Sequence, residues 1–327
     1  MGYFQGLYFR YFQDHSTEMV TSNHSELITV LTELYTLLVS LAAISDTQLF
    51  LPSPETGLHA PGAINITSAL AAGYDAETVA LMCALPYVGE IGQHSYTRDI
   101  ELLSNAYTLN YLGADRDVMD FKGDREMLDD GETIEVMPSR ALAITWSEGR
   151  DGLEFIYDLN TRLVTPWRPF DTPVGVNNYF GVPSISPREA FGPIVEGYRK
   201  LKHIGTGDRM DWYDEETYMS GGIAPVGQGY TARDALWYGA QYREYIAVHG
   251  LRDLYLECGW DVNAVNQTQF RRVEFVEKRQ KYWEDVVEVV IKQNEIERDE
   301  AMVSDREVSR LEYEARKLQE SIALTQQ

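Results

Sequence analysis

Positive charge is scarce in this chain and unevenly spread. Its 327 residues include 28 lysines and arginines against 51 acids, a formal charge of −23, and no lysine or arginine lies between Arg10 and Arg98. Such a field repels phosphate backbones. The adjacent basic pairs, Arg199-Lys200, Arg271-Arg272, Lys278-Arg279 and Arg316-Lys317, are each set among acids, so the sequence argues against nucleic acid as a general partner. Cysteine is scarcer still. Cys83 and Cys258 are the only two, too few for a disulfide framework and without a neighbouring Cys or His at metal-ligand spacing. They read as small buried hydrophobes of a reducing, intracellular compartment, by default the cytoplasm. The sequons at Asn23, Asn65 and Asn266 are then chance triplets.

Leader and membrane signals are also missing from the reading. The first ten residues are aromatic and lack a basic region followed by an aliphatic core. Met1-Gly2 is followed by Gly6 where myristoylation needs Ser or Thr. The longest apolar run, Leu27–Ile44, carries Thr29, Thr32, Glu33, Thr36 and Ser40 every three or four positions. That spacing gathers the polar groups into one stripe and predicts an amphipathic core helix, with no membrane span.

What is present reads as an ordinary globular interior, 44% hydrophobic and 24% charged, in a chain long enough to bury a sizeable core. Helices are predicted over Ser25–Ser45, Ile66–Ala72 and Ala76–Leu85, the last capped by Asp75 and stopped by Pro86. Thr97 is positioned to cap a helix through Arg98–Tyr107, and Gly113–Gly131, with six aspartates, reads as a solvated loop. Period-two alternation then predicts strands over Thr133–Met137, Ala141–Trp146, Leu153–Leu159 and Leu163–Trp167. The short connections at Gly149–Gly152 and Asn160-Thr161 make an antiparallel meander with one face packed and one wetter. Ser186-Pro187-Arg188-Glu189 is a helix start with Ser as cap, Pro first and Glu reciprocating. Phe191, Ile194, Val195, Tyr198 and Leu201 form the face that covers the packed side of the sheet. The fold class is α+β: an antiparallel meander packed against helices, with a long C-terminal helical extension.

Four regions follow from the change of texture: a loose arm over 1–20, the α+β domain over 21–204, a helical and loop extension over 205–266, and a charged long helix over 267–327 broken near residue 304 by the capping box Ser304-Asp305-Arg306-Glu307. In the extension, a helix is expected from Thr231 to about His249 and a further short one over Leu251–Cys258. Phe275, Tyr282, Val289, Ile296 and Val303 recur every seven residues. A dimer seam needs a second apolar position in each heptad, and Gln293, Glu300 and Glu307 occupy it, so Tyr282–Ile291 is expected to dock on the protein itself. Residues 268–327 hold 14 acids and 11 bases, which leaves 37 acids and 17 bases in residues 1–267. The acidity belongs to the globular part.

No constellation of reactive residues stands out. Gly227-Gln228-Gly229-Tyr230-Thr231-Ala232 has the outline of a dinucleotide fingerprint, but Pro225 and two glycines precede it where a buried strand is required, so no cofactor is predicted. Glu90 and His94 lack the second histidine of a zinc helix. Asp208, Asp211, Asp214, Glu215 and Glu216 lack the spacing and glycine of a calcium loop, so no metal site is predicted either. Trp212 and Tyr213 within that acidic turn make these seven residues a candidate docking patch for a basic protein partner. The sequence assigns no catalytic residue.

Taken together, the helix ending Leu85-Pro86-Tyr87, the strands Ala141–Trp146 and Tyr157-Asp158-Leu159, the run Val164-Thr165-Pro166-Trp167 and the closing helix Ser186-Pro187-Arg188-Glu189-Ala190-Phe191 resemble the SUKH superfamily of fungal cell-wall assembly regulators and bacterial toxin-immunity proteins. The resemblance spans residues 76–201. The layout is also similar to that of filamentous-fungal proteins in which such a domain precedes a helical tail. It implies a non-enzymatic protein-interaction or regulatory module. Two other readings stay open: an enzyme of hydrolase-like class whose residues assemble only in three dimensions, and an adaptor that binds through its C-terminal helix. The sequence does not fix an oligomeric state.

Overall fold

The computed structural model describes residues 21–89, 100–103, 106–126, 136–147, 152–168, 179–204, 232–299 and 313. Its chain falls into two compact units, one comprising residues 1–212 with 262–265 and the other 213–261 with 266–327.

In the first unit, α1 (Ser25–Ser40) buries Leu27, Val30, Leu31, Leu34, Tyr35 and Leu38 on one face, as its polar stripe predicts. The chain leaves it through Ala42 at φ 54°. A two-stranded ribbon pairs β1 (Leu49–Phe50) with β2 (Tyr87–Val88). Between them lie α2 (Ile66–Ala71) and α3 (Ala76–Ala84), each started by a side chain that accepts a backbone N–H, Asn65 from Ser68 and Asp75 from Thr78. The eight strands of the described residues form that ribbon and two three-stranded sheets. One is ordered β3 (Glu101–Leu103), β4 (Ala106–Thr108), β6 (Thr145–Ser147); the other is β5 (Ala141–Ala143), β7 (Glu154–Asp158), β8 (Leu163–Trp167). Every pairing is antiparallel.

β5 and β6 are one stretch of chain creased at Ile144. The Ile144 N–H donates to Phe155 of β7, while its carbonyl accepts from Leu109 beyond β4. Just past the crease, the Thr145 hydroxyl accepts the Phe155 N–H at 2.9 Å and donates to the Leu153 carbonyl at 3.0 Å. A side chain thus supplies the ladder bonds that the turning backbone gives up. The α5 helix (Pro187–Arg199) begins with the capping box read at Ser186 and Glu189. It lies over the face of Phe155 and Tyr157, with Phe191 and Phe155 ring centroids 4.7 Å apart, and packs on α1.

Four sequence expectations need correction. Residues 101–103 and 106–108 are paired strands, not a helix: Leu102, Ala106 and Thr108 are buried, and pairing with β6 overrides the local cap signal. The aspartate-rich 113–126 stretch is not merely a loop. It contains α4 (Val118–Gly123), opened by a capping box between Asp117 and Asp120 and anchored by Phe121, which is fully buried. The sheet is not wet on one face either. Register puts Ala141, Ala143, Ile156 and Trp167 together on the side away from Phe155, and they bury with Met137 and Tyr179 in a second core. Of the strand expected over 133–137, the described part is an isolated bridge of Val136 with Glu126.

The second unit is a helical pair. The fourth correction falls here, because α6 (Ala232–Glu257) runs unbroken through His249 and Gly250. α7 (Arg272–Tyr282) opposes it and continues through a π turn at Trp283–Val287 into helix to residue 299. Gly250 is required at the crossing: a Cβ there would collide with the Tyr282 hydroxyl, which donates to the Ala247 carbonyl at 2.8 Å. Tyr255 and Phe275 stack with centroids 3.9 Å apart, and Trp260 and Phe270 close the same cluster. Cys258 is fully buried there.

Candidate functional site

The docking patch expected from sequence, Asp208, Asp211, Trp212, Tyr213, Asp214, Glu215 and Glu216, lies outside the described residues, as do Glu90, His94 and the glycines of the Gly227 fingerprint. Among the described residues no group of three or more His, Cys, Asp or Glu is arranged to hold a metal ion, and no helix is long and apolar enough to cross a membrane.

The described residues do gather an acidic surface around α4. Two arginines flank that short helix, and both turn inward. Arg116 is 2% exposed; its guanidinium sits over the Phe121 and Tyr111 rings, donates to the Asn110 carbonyl and pairs with Asp124. Arg125 donates to the carbonyls of Ala72 and Met137 and covers the Tyr74 ring. Its approach fixes Gly73, where φ is +97° and a Cβ would meet the guanidinium. Asp115, Asp117 and Glu126 stay exposed on the outside beside Met119, which is 65% exposed. The segment thus carries two of its three cations inside against aromatic faces, with Asp124 turned in on Arg116, and leaves Lys122 exposed with Asp115, Asp117 and Glu126. Met119 adds a flexible, exposed apolar side chain to the same segment.

A second polar cluster sits where α1, α3 and β7 meet. His24 precedes α1 and is 2% exposed; Tyr157 of β7 is 1% exposed. The imidazole Nδ1 and the Tyr157 hydroxyl are 2.7 Å apart, and Nε2 faces a Glu77 carboxylate oxygen at 3.6 Å. Arg140 ties Glu77 to the start of β5 and lies 3.6 Å from Asp75. Burial depresses the imidazole below its ordinary range, against the pull of Glu77, and raises the Tyr157 hydroxyl. Nothing in sequence spacing joins residues 24, 77, 140 and 157; the meander and two helix starts do.

Burial lifts the Glu154 carboxyl to about 7, with the Ser147 hydroxyl bonded to it at 2.9 Å. It pairs across the ladder with Trp167, whose fully buried indole N–H has no hydrogen-bond partner among the described residues. Burial pushes the Cys83 thiol up to about 11, which leaves it a poor nucleophile at neutral pH. Burial thus favours the neutral forms of Glu154, Tyr157 and Cys83.

On the helical pair, the seven-residue pattern splits in two. Phe275 is buried and Tyr282 contacts α6, but Val289 and Ile296 are 57% and 53% exposed, while Val287 and Asn294 are fully buried. The π turn inserts one residue and rotates the seam. Asn294 then accepts from Arg243 and donates to Glu244 at 2.8 Å. With Val273 at 74%, the outward face keeps a sparse apolar row.

Compared with protein-family profiles, curated proteins and solved structures, the chain matches none.

Proposed function

We propose that the protein is a non-enzymatic, SUKH-like interaction module of the cell interior, which recognises a basic protein partner through an acidic surface on its globular part. The observation that carries this reading is the sorting of charge around α4. Arg116 and Arg125 are buried while Asp115, Asp117, Glu126 and Met119 of the same segment are exposed. The imbalance of 37 acids against 17 bases in residues 1–267 supports it. Asp208, Asp211, Trp212, Tyr213, Asp214, Glu215 and Glu216 extend the acidic and aromatic composition such a surface needs.

The test is capture of partners by the full chain, with a salt titration of each. Asp115→Asn with Glu126→Gln leaves the Asp117–Asp120 cap intact, so it lowers charge without unfolding α4. Expected are binding that weakens with salt, a loss of roughly tenfold for that pair of substitutions, and a further loss for Trp212→Ala. A partner retained unchanged at high salt counts against this reading. The adaptor reading, in which the C-terminal helix binds, is favoured by the exposed row Val273, Val289 and Ile296; it expects capture to fail in Val289→Asp and to survive the α4 substitutions.

A further inference from the structure

We propose that His24 is an acid-sensitive latch, which fastens the start of α1 to α3 and β7 when neutral and lets it go when protonated. The ring's two nitrogens face different partners. Nε2 faces the Glu77 carboxylate at 3.6 Å, so the proton of the neutral ring resides there; a bare nitrogen lone pair would face negative charge. Nδ1 is then the acceptor, and the Tyr157 hydroxyl donates to it across 2.7 Å.

A second proton has only Nδ1 to go to. The Tyr157 oxygen must then accept instead of donate, and its own proton loses its acceptor in a site 1% exposed to solvent. Protonation therefore buries a cation and strands a hydroxyl together. The other facing charges divide. Glu77 of α3 favours the cation, whereas Arg140 before β5 and Arg162 after β7 oppose it. Glu26 of α1, Asp158 and Glu77 act on the Tyr157 side and keep its proton in place.

The direction with pH follows. The folded imidazole protonates below its unfolded value, so the latch contributes fully above about 6.5 and is lost as pH falls through the lower folded value. Relief of the −23 self-repulsion on acidification acts the other way. A local loosening at acid pH thus has the opposite sign to the global charge effect.

Amide exchange of the full chain at about pH 7.5 and 5.5, corrected for intrinsic rates, tests this. Protection over 27–31 and 78–82 is expected to fall roughly threefold or more at the lower pH, with 190–198 unchanged. His24→Gln keeps a neutral acceptor and donor and should abolish the difference. Tyr157→Phe removes the hydroxyl that protonation strands, so the midpoint of the change should rise by about half a pH unit. The latch is overturned if the wild-type difference is absent, if His24→Gln retains it, or if Tyr157→Phe leaves the midpoint in place.

Discussion

The two units solve the burial of polar groups in opposite ways. Around the sheet, long polar side chains are carried inside and each is tied to fixed groups: Arg125 to two carbonyls, Arg116 to Asp124, His24 to Tyr157. In the helical pair the deepest polar side chain is Asn294, and its partners Arg243 and Glu244 lie at the edge of the seam. The sheet unit is therefore over-determined, since several distant segments must meet at each tie. The helical unit is held by one strip of contacts whose register a single π turn sets. Frames of the first kind resist local change until they fail together; seams of the second kind slide.

The largest effect that sharpens this contrast is expected at Trp167. It is fully buried on the second sheet face, so Trp167→Ala should cost about 3–5 kcal/mol in chemical unfolding, with the loss confined to the transition of the sheet unit. Gly250→Ala tests the seam. In an open helix this change stabilises by about 1 kcal/mol, but here the new methyl meets the Tyr282 hydroxyl. A loss of about 1–3 kcal/mol is expected instead, and a gain would show that the two helices do not cross as described.

A pH-dependent effect of middling size belongs to Glu154. Its folded carboxyl holds a proton to about 7, so the stability it contributes is present below the unfolded carboxyl value and lost as pH rises through 7. Glu154→Gln, permanently neutral, should raise the thermal midpoint at about pH 8 and leave it nearly unchanged at about pH 4. Equal gains at both values would remove burial as the cause.

Deleting Asp285 should resorb the π turn into a regular helix. Val287 and Asn294 then stay on the buried face, and stability should change by no more than about 1 kcal/mol. Deleting Lys292 instead leaves the turn in place and rotates Asn294 out of the seam, which should cost more. The smallest effect is expected from Arg162→Gly: Arg162 sits at φ 58° in the β7–β8 turn, and glycine there should stabilise by about 0.5–1 kcal/mol.

Legibility from sequence followed the range of the interactions. The Ser186 capping box, the Asp75 cap, the period of β7 and β8 and the polar stripe of α1 are all local, and each appears where the residues put it. The strand pair at 101–103 and 106–108 was hidden because its ladder partner is β6, some forty residues on. Helix α4 was hidden because six aspartates outweigh one Phe121 in any count of composition, although that phenylalanine is what Arg116 covers. The seven-residue row of Phe275, Tyr282, Val289 and Ile296 presumes an unbroken α-helix, and the π turn breaks that premise at Trp283. His24, Glu77, Arg140 and Tyr157 came from four segments, so no spacing rule links them.

The crease at Ile144 has a mechanical meaning. The two three-stranded sheets share one continuous strand, so a displacement of β3 and β4 reaches β7 and β8 along a shared backbone, the Thr145 hydroxyl and the Ser147–Glu154 bond. Valine at 145 would fill the same space and hold neither bond. The joint between the halves would then flex more easily, with the Ser147–Glu154 bond still in place, while both sheets kept every strand pairing they have now.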